Sequence, residues 1–305
     1  VQYAVGRLDF GEDIDAYARY ARNVVAAETG VSASAHRAVF FGVNNPKDEA
    51  TAFSTRHLVA PLHTRLTTLM EETDWQLINV ASEHATKATL SRILKLSPPP
   101  AVLFTASHGV EFGAGDEAQR DVQGALLCQD WDGTPGELAP TSYFSARDVT
   151  PAHDLRGMIA FLFACYSAGT PRWDAHGRWR FQDEGRVIAP RPFVAALPQA
   201  MLALKDRGAL AVVGHVERAW HMSFVAEMES RPEGMKARQR EHIDVFACAF
   251  ERLLNGYPVG AAMDFFNVRY AAVATELTSL YNRIAAENPS RADLYRLAEL
   301  WATTY

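Results

Sequence analysis

Five short runs rich in Val, Ile, Leu and Phe, each ending abruptly in small or polar residues, most constrain what this 305-residue chain can fold into. They are Arg37 to Val43 (RAVFFGV), Trp75 to Ala81 (WQLINVA), Ala101 to Ser107 (AVLFTAS), Gly157 to Ala164 (GMIAFLFA) and Ala209 to His215 (ALAVVGH). Apolar runs of this length that do not alternate with polar residues read as strands covered on both faces. Between them, Glu49 to Glu71, Thr86 to Leu96 and Pro192 to Asp206 carry helical spacing, and Asn45-Pro46 marks a turn before the first of these. Strands alternating with helices predict an α/β fold with one mainly parallel central sheet, right-handed crossovers and helices on both faces. Functional residues of such sheets gather at the carboxyl ends of the strands.

The flanks are helical. Ile14 to Glu28 (IDAYARYARNVVAAE) is an amphipathic helix, and Glu241 to Asn255 and Val259 to Asn288 read as two long helices parted by Gly256-Tyr257-Pro258. Two stretches break the alternation. Gly109 to Arg156 is expected to hold a hairpin or small sheet with a short helix, and Ala168 to Arg191 a long surface loop of the functional kind. The expectation is one domain over residues 1–305, with an N-terminal helical segment at 1–36 and a C-terminal one at 241–305. A chain that starts at Val1 leaves room for further domains in a longer polypeptide.

Composition narrows the function. With 30 Lys and Arg against 36 Asp and Glu, the formal charge is −6, and no basic run reaches the density that phosphate neutralisation needs. Nucleic acid is therefore not an expected partner. Apolar stretches fall short of the ~18 to 20 residues of a membrane span, so no membrane is expected either. The first fifteen residues show no basic leader followed by an apolar block, so no signal peptide is expected. Three cysteines, Cys128, Cys165 and Cys248, form an odd set without CxxC spacing, which argues against a disulfide framework or structural zinc and for the cytoplasm. His57 and His63 are six residues apart, and no metal-ligand pattern accompanies His215 and His221, so no metal is expected. Neither GxxxxGK[ST] nor GxGxxG occurs, and no cofactor is expected.

Two strand ends carry the chemistry. Cys165 follows IAFLFA directly and opens the small-residue turn CYSAGTP; His108 holds the same place after AVLFTAS and precedes Gly109. Neighbouring parallel strands would bring both side chains to one edge. A thiol with a pKa near ~8.5 is mostly protonated at neutral pH, and a nearby imidazole activates it by taking its proton. The N–H groups of Gly109 and Cys165, both in tight turns, are candidates for an oxyanion hole, with Gly109 leaving room for the incoming carbonyl. A cysteine after an apolar strand is, standing alone, more often a small buried hydrophobe. The histidine at the matching strand end reverses that expectation. Cys128 (ALLCQDWDG) and Cys248 (VFACAFERLL) lack such a partner and read as packing residues. Ser167 in CYSAG lacks the first glycine of a GxSxG elbow.

TASHG and FLFACYSAG, in this order and separated by about fifty residues, resemble the His and Cys motifs of the caspase-like (clan CD) cysteine peptidases, the group of gingipains, separases, metacaspases and bacterial CHAT domains. AVFFGVNN, INVASEHATKATLSRIL, PFVAALPQAML, GALAVVGHVERAW and LLNGYPVGAA resemble successive segments of CHAT-type members, so the likeness runs from about Arg37 to Asn267. It implies a caspase-like fold and a thiol protease, a hydrolase that cleaves specific protein substrates through an acyl-enzyme. Cys165 would be the nucleophile, His108 the general base and acid, and Gly109 with Cys165 the oxyanion donors. It also implies regulation by an activating sensor domain or partner protein, in bacterial antiviral defence or cell death.

Metacaspase and clostripain relatives place an Asp two residues before the nucleophile, where it helps to select a basic residue; here Phe163 stands there. An acid for such a pocket must come from elsewhere. The loop after the first strand lines the pocket in caspases and gingipains, which nominates Asp48 and Glu49; Asp116, Glu117 and Glu217 follow the third and last strands, and Trp220 is a candidate wall. Together with the acidic balance, these predict cleavage after Arg or Lys. The competing expectation is a catalytically silent caspase-like scaffold that keeps His108 and Cys165 without turnover.

Overall fold

The computed structural model describes residues 5–30, 34–174, 186–227, 239–241, 243–286, 290, 292–294, 296–297 and 300. Contacts divide the chain into two compact units, residues 7–219 and residues 220–305 with the first six.

The larger unit is α/β, built on a five-stranded, all-parallel sheet. Its strands are β1 (Ala35–Gly42), β2 (Gln76–Ala81), β3 (Pro100–Ala106), β6 (Ile159–Phe163) and β9 (Ala211–Gly214), in the spatial order β2-β1-β3-β6-β9. Each of the five apolar runs forms one of these strands. The chain leaves β1 toward β2 on one side and returns to β3 on the other, so the order reverses at β1 and β3. Such a switch point opens a crevice beyond the carboxyl ends of the strands.

The two faces of the sheet are separate cores because successive side chains alternate. On one face Phe40, Phe104 and Phe161 stand side by side in register across β1, β3 and β6, with ring centroids 6.0 and 5.7 Å apart. Burying such a ring contributes about 1.5–3 kcal/mol. α2 (Glu49–Ser54) and α3 (Ala60–Leu69) are joined by a π-helical turn, Thr55–Val59, that runs over Gly42 of β1. A Cβ at Gly42 would meet Thr55 Oγ1 at 3.0 Å and the Val59 methyls at 3.1 Å. The single helix expected over Glu49 to Glu71 is therefore three segments, and at the break Thr55 Oγ1 donates to Val43 O (2.7 Å). On the opposite face Val39, Phe41, Leu103, Ala160 and Leu162 pack with Leu90 and Ile93 of α4 (Lys87–Ile93) and Leu197 and Met201 of α6 (Ala196–Ala203). α1 (Ile14–Glu28) is pinned beside α6: Arg19 Nε donates to Ala203 O (2.8 Å) and Tyr20 Oη to Leu210 O (2.9 Å).

Short elements decorate the carboxyl edge. α5 (Gln119–Val122) and the antiparallel pair β4 (Leu126–Leu127) and β5 (Tyr143–Phe144) occupy the stretch expected to hold a hairpin and short helix. β7 (Gly169–Thr170) pairs with β8 (Phe193–Val194). Of the long loop expected at Ala168 to Arg191, residues 175–185 lie outside the described residues; its neck is a short ladder in which Asp174 N donates to Arg186 O (2.8 Å) and Ile188 N to Arg172 O (2.9 Å).

The second unit contains the pair β10 (Val225–Glu227) and β11 (Gln239–Glu241), then α7 (Asp244–Leu254) and α8 (Val259–Ala286). Gly256, at φ +77°, ends α7 while Tyr257 N donates back to Arg252 O (3.0 Å), a left-handed stop at the expected Gly-Tyr-Pro break. The rings of Phe246 and Phe266 meet edge to face at 5.0 Å across the two helices. Among the described residues, no helix is long and apolar enough to cross a membrane.

Candidate active site

β1, β3 and β6 are adjacent, and each delivers one residue to their common carboxyl edge: Asp48, His108 and Cys165. His108 sits two residues past β3 and Cys165 two past β6, as the matched strand ends required. The backbones that follow them touch. A Cβ built on Gly109 would lie 1.8 Å from Cys165 O and 2.8 Å from Cys165 C, and one on Gly124, at φ +79°, 2.1 Å from Tyr166 O. The glycine after the histidine is thus demanded by the peptide group of Cys165 itself. Gly109 faces Leu126 as a non-hydrogen-bonded pair, flanked by Leu127 N to His108 O (2.9 Å) and Val110 N to Ala125 O (2.9 Å). This leaves Gly109 N–H outside the ladder. Neither it nor Cys165 N–H donates a hydrogen bond to another described residue, the condition for a pair of oxyanion donors.

The turn after Cys165 is tight. Tyr166 takes φ +58°, a left-handed conformation costly for a residue with a side chain, and Tyr166 N is held by Glu217 O (2.7 Å), Ser167 N by Ala164 O (3.3 Å) and Ala168 N by His215 O (2.9 Å). Ser167 is fully buried, its hydroxyl donating to Leu162 O (2.8 Å) and accepting from His215 N (3.0 Å), so it is a strut of the turn and no nucleophile. The Cys165 sulfur is half-buried and accepts from Ala219 N (3.4 Å). Burial pushes its thiol above the usual range, opposed by the Ala219 N–H and the positive charge of Arg218. Deprotonation therefore needs a base.

His108 is held by Asp48. Its Nε2 lies 3.0 Å from Asp48 Oδ2, which leaves Nδ1 as the nitrogen free to take a proton. Trp131 meets the imidazole edge to face at 6.0 Å. No hydrogen bond joins His108 to Cys165; contacts of this kind commonly tighten only around a substrate. Asp48 does two things at once. It is the N-cap of α2, accepting from Thr51 N (2.8 Å) and Thr51 Oγ1 (2.6 Å), and it turns the same Oδ2 to His108. Burial raises the Asp48 carboxyl, but Thr51 and then His108 outweigh it and hold it below the ordinary carboxylate range. Lys47, at φ +61°, bends the loop at this point. Asn45 Nδ2 ties the loop to the turn bearing Trp131, donating to Cys128 O (2.9 Å) and Trp131 O (2.8 Å).

Asp48, expected to line a specificity pocket, does line the shallow cavity after β1 and is also engaged with His108, the triad-like place for which no residue was nominated. Its position before a helix is readable as a cap; its reach to a histidine in another loop is not. Glu49, at the exposed start of α2, lines a shallow cavity with Asn44 and Lys47. Asp116 and Glu117 lie in an exposed turn, where Asp116 Oδ1 caps Ala118 N (2.8 Å), and neither approaches Cys165 through any contact of the described residues. Glu217 is buried against Arg218 (3.6 Å) and is no open pocket acid. Trp220 begins the second unit. Arg218, Glu111 and Asp174 carry no mark in the sequence, since isolated charges in loops follow no pattern, and Tyr166 reads only as part of the CYSAG turn.

The remaining candidates are structural. Cys128 is fully buried, its Sγ directed at Leu126 O (3.4 Å), and burial pushes its pKa up to about 12. Cys248 is half-buried on α7. His215 packs edge-on against Phe163 at 4.9 Å. No group of three or more metal-ligating side chains occurs among the described residues. No family model, no curated protein and no solved structure matches the chain.

Proposed function

We propose that the chain is a caspase-like cysteine endopeptidase that cleaves specific protein substrates after a basic residue. The observation that carries this reading is the meeting of His108 and Cys165 at the carboxyl ends of adjacent parallel strands, backbone against backbone, with Asp48 on the far side of the imidazole. In the reaction, Nδ1 of His108 takes the Cys165 proton and the thiolate attacks the scissile carbonyl. The N–H groups of Gly109 and Cys165 hold the oxyanion. His108 returns the proton to the leaving amine, and water, deprotonated by the same imidazole, releases the acyl group. Asp48 keeps Nε2 protonated and steadies the imidazolium. The likeness to CHAT-type peptidases supports a cytoplasmic role in bacterial defence, under an activating sensor domain or partner protein.

Fluorogenic peptides with Arg, Lys, Asp or Leu before the cleaved bond, incubated with the protein and with Cys165→Ala, test the reading. Cleavage lost in the variant is expected, and mass-spectrometric mapping of cuts in a protein substrate should show Arg or Lys before the cut. Activity that survives Cys165→Ala and dies with Cys128→Ala would move the nucleophile. One observation favours a second reading, a silent scaffold: the Cys165 thiol is pushed up and makes no bond to His108. Absence of any Cys165-dependent cleavage, with or without candidate activators, would select it.

A further inference from the structure

We propose that Glu111 is the residue that selects the basic side chain before the scissile bond, an inference that rests on the peptidase reading. Glu111 lies two residues past Gly109, so its backbone is fixed close to Cys165. It belongs to a cluster built on Arg218, the residue beside the Ala219 N–H that touches the Cys165 sulfur. Arg218 Nη1 is 3.0 Å from Asp174 Oδ1 and 3.6 Å from Glu217 Oε1, and its Nη2 is 3.9 Å from Glu111 Oε1; Arg186 Nη2 approaches the same oxygen at 3.5 Å.

The members differ in what they have left to give. Asp174 and Glu217 are buried and engaged with Arg218. Glu111 is 36% exposed, and both of its contacts are long ion pairs, neither a hydrogen bond. Its carboxylate keeps its acceptor capacity for an incoming guanidinium or ammonium, the kind of partner that forms short charge-assisted hydrogen bonds. A second observation points to a ligand. The Tyr166 side chain is wholly buried, its Oη has no hydrogen-bond partner among the described residues, and it lies within the fields of Glu111, Arg218, Cys165 and Glu217. A buried oxygen without a hydrogen bond, in the field of a carboxylate held only by long ion pairs, suits a cation with several N–H donors. An acidic side chain there would meet the like charge of Glu111.

The test compares paired peptides with Arg or its neutral isostere citrulline before the cleaved bond, using the wild-type protein, Glu111→Gln and Glu111→Asp. Wild type is expected to prefer Arg. Glu111→Gln should lose about 10- to 100-fold in kcat/KM on the Arg peptide, the range of one charge-assisted hydrogen bond, and change little on citrulline, while Glu111→Asp retains the preference. Equal loss on both peptides, or an undiminished Arg preference in Glu111→Gln, would overturn the assignment. A readout without turnover separates this from the peptidase reading. Rates of Cys165 modification by cationic trimethylammonioethyl and anionic sulfonatoethyl methanethiosulfonate are followed by site-resolved mass spectrometry. The cationic reagent should lead by about tenfold in wild type and lose that lead in Glu111→Gln. Equal rates in wild type overturn the proposal. Failure to cleave any peptide, with the reagent preference intact and dependent on Glu111, overturns the peptidase reading and keeps Glu111 as the cation receptor at Cys165.

Discussion

Asp48 and His108 stand 60 residues apart in the chain and 3.0 Å apart in space, and the carboxyl oxygen that holds His108 Nε2 is the one that caps α2 through Thr51. A helix cap therefore doubles as the group that orients the imidazole. Because the two duties draw on different properties of one side chain, substitution separates them.

Asn caps a helix about as well as Asp but cannot hold the imidazole in the same tautomer. Asp48→Asn should keep the wild-type urea midpoint while kcat falls by up to about 10⁴-fold. Asp48→Ala should lose activity and also about 1 kcal/mol of stability. Wild-type kcat in Asp48→Asn would reduce Asp48 to a cap.

Removing Cys165 or His108 should lower kcat/KM by about 10⁴-fold or more in peptide assays, and the double variant should be little worse than either, because the two act as one unit. Cys128→Ala should leave peptide kinetics within about threefold. Additive losses in the Cys165 and His108 variants would count against a shared proton transfer.

Gly109→Ala should cost about 10²- to 10³-fold in kcat and lower the thermal midpoint, because a Cβ 1.8 Å from Cys165 O forces apart the two peptide groups proposed as oxyanion donors. Gly113→Ala, where no atom lies within 4 Å of the added carbon, is the matched control. Similar behaviour of both variants would contradict the backbone contact.

The raised Cys165 pKa places its thiolate above the usual thiol range, so alkylation by neutral iodoacetamide should be slow at neutral pH and climb through and beyond that range. Cys128, pushed up to about 12, should stay unmodified in the native protein. A Cys165 alkylation rate already at its plateau near pH ~7 would show a preformed thiolate–imidazolium pair instead.

Burial lowers the His215 pKa to about 4, whereas an unfolded histidine titrates near ~6.5. The unfolded chain takes up the proton first, so stability is full above ~6.5, declines as pH falls toward about 4, and is unaffected by this group below that. His215→Gln should show a smaller drop in urea midpoint between about pH 7 and about pH 4.5 than wild type. An equal drop in both would place the acid sensitivity elsewhere.

Much of the architecture was legible because burial on two faces leaves a one-dimensional trace. Five uninterrupted apolar runs became the five parallel strands within a residue or two at most ends, and Gly-Tyr-Pro marked the break between α7 and α8. His108 and Cys165 could be nominated because a strand end fixes where the next side chain emerges. The break inside the helix after β1 left no comparable mark, since it answers to Gly42 and the Val43 carbonyl beneath it.

What the sequence by itself determined is the order of strands and helices and the residues at their carboxyl ends, both local consequences of apolar spacing and turn chemistry. Which strands are neighbours, that Asp48 reaches His108, why Gly109 must be glycine, and the gathering of Glu111, Asp174, Glu217 and Arg218 beside Cys165 were decided by tertiary structure alone. The reason is physical: a charge or a hydrogen bond acts across a few ångströms of space, and loops that meet at a sheet edge come from positions whose separation in the chain encodes nothing about that distance.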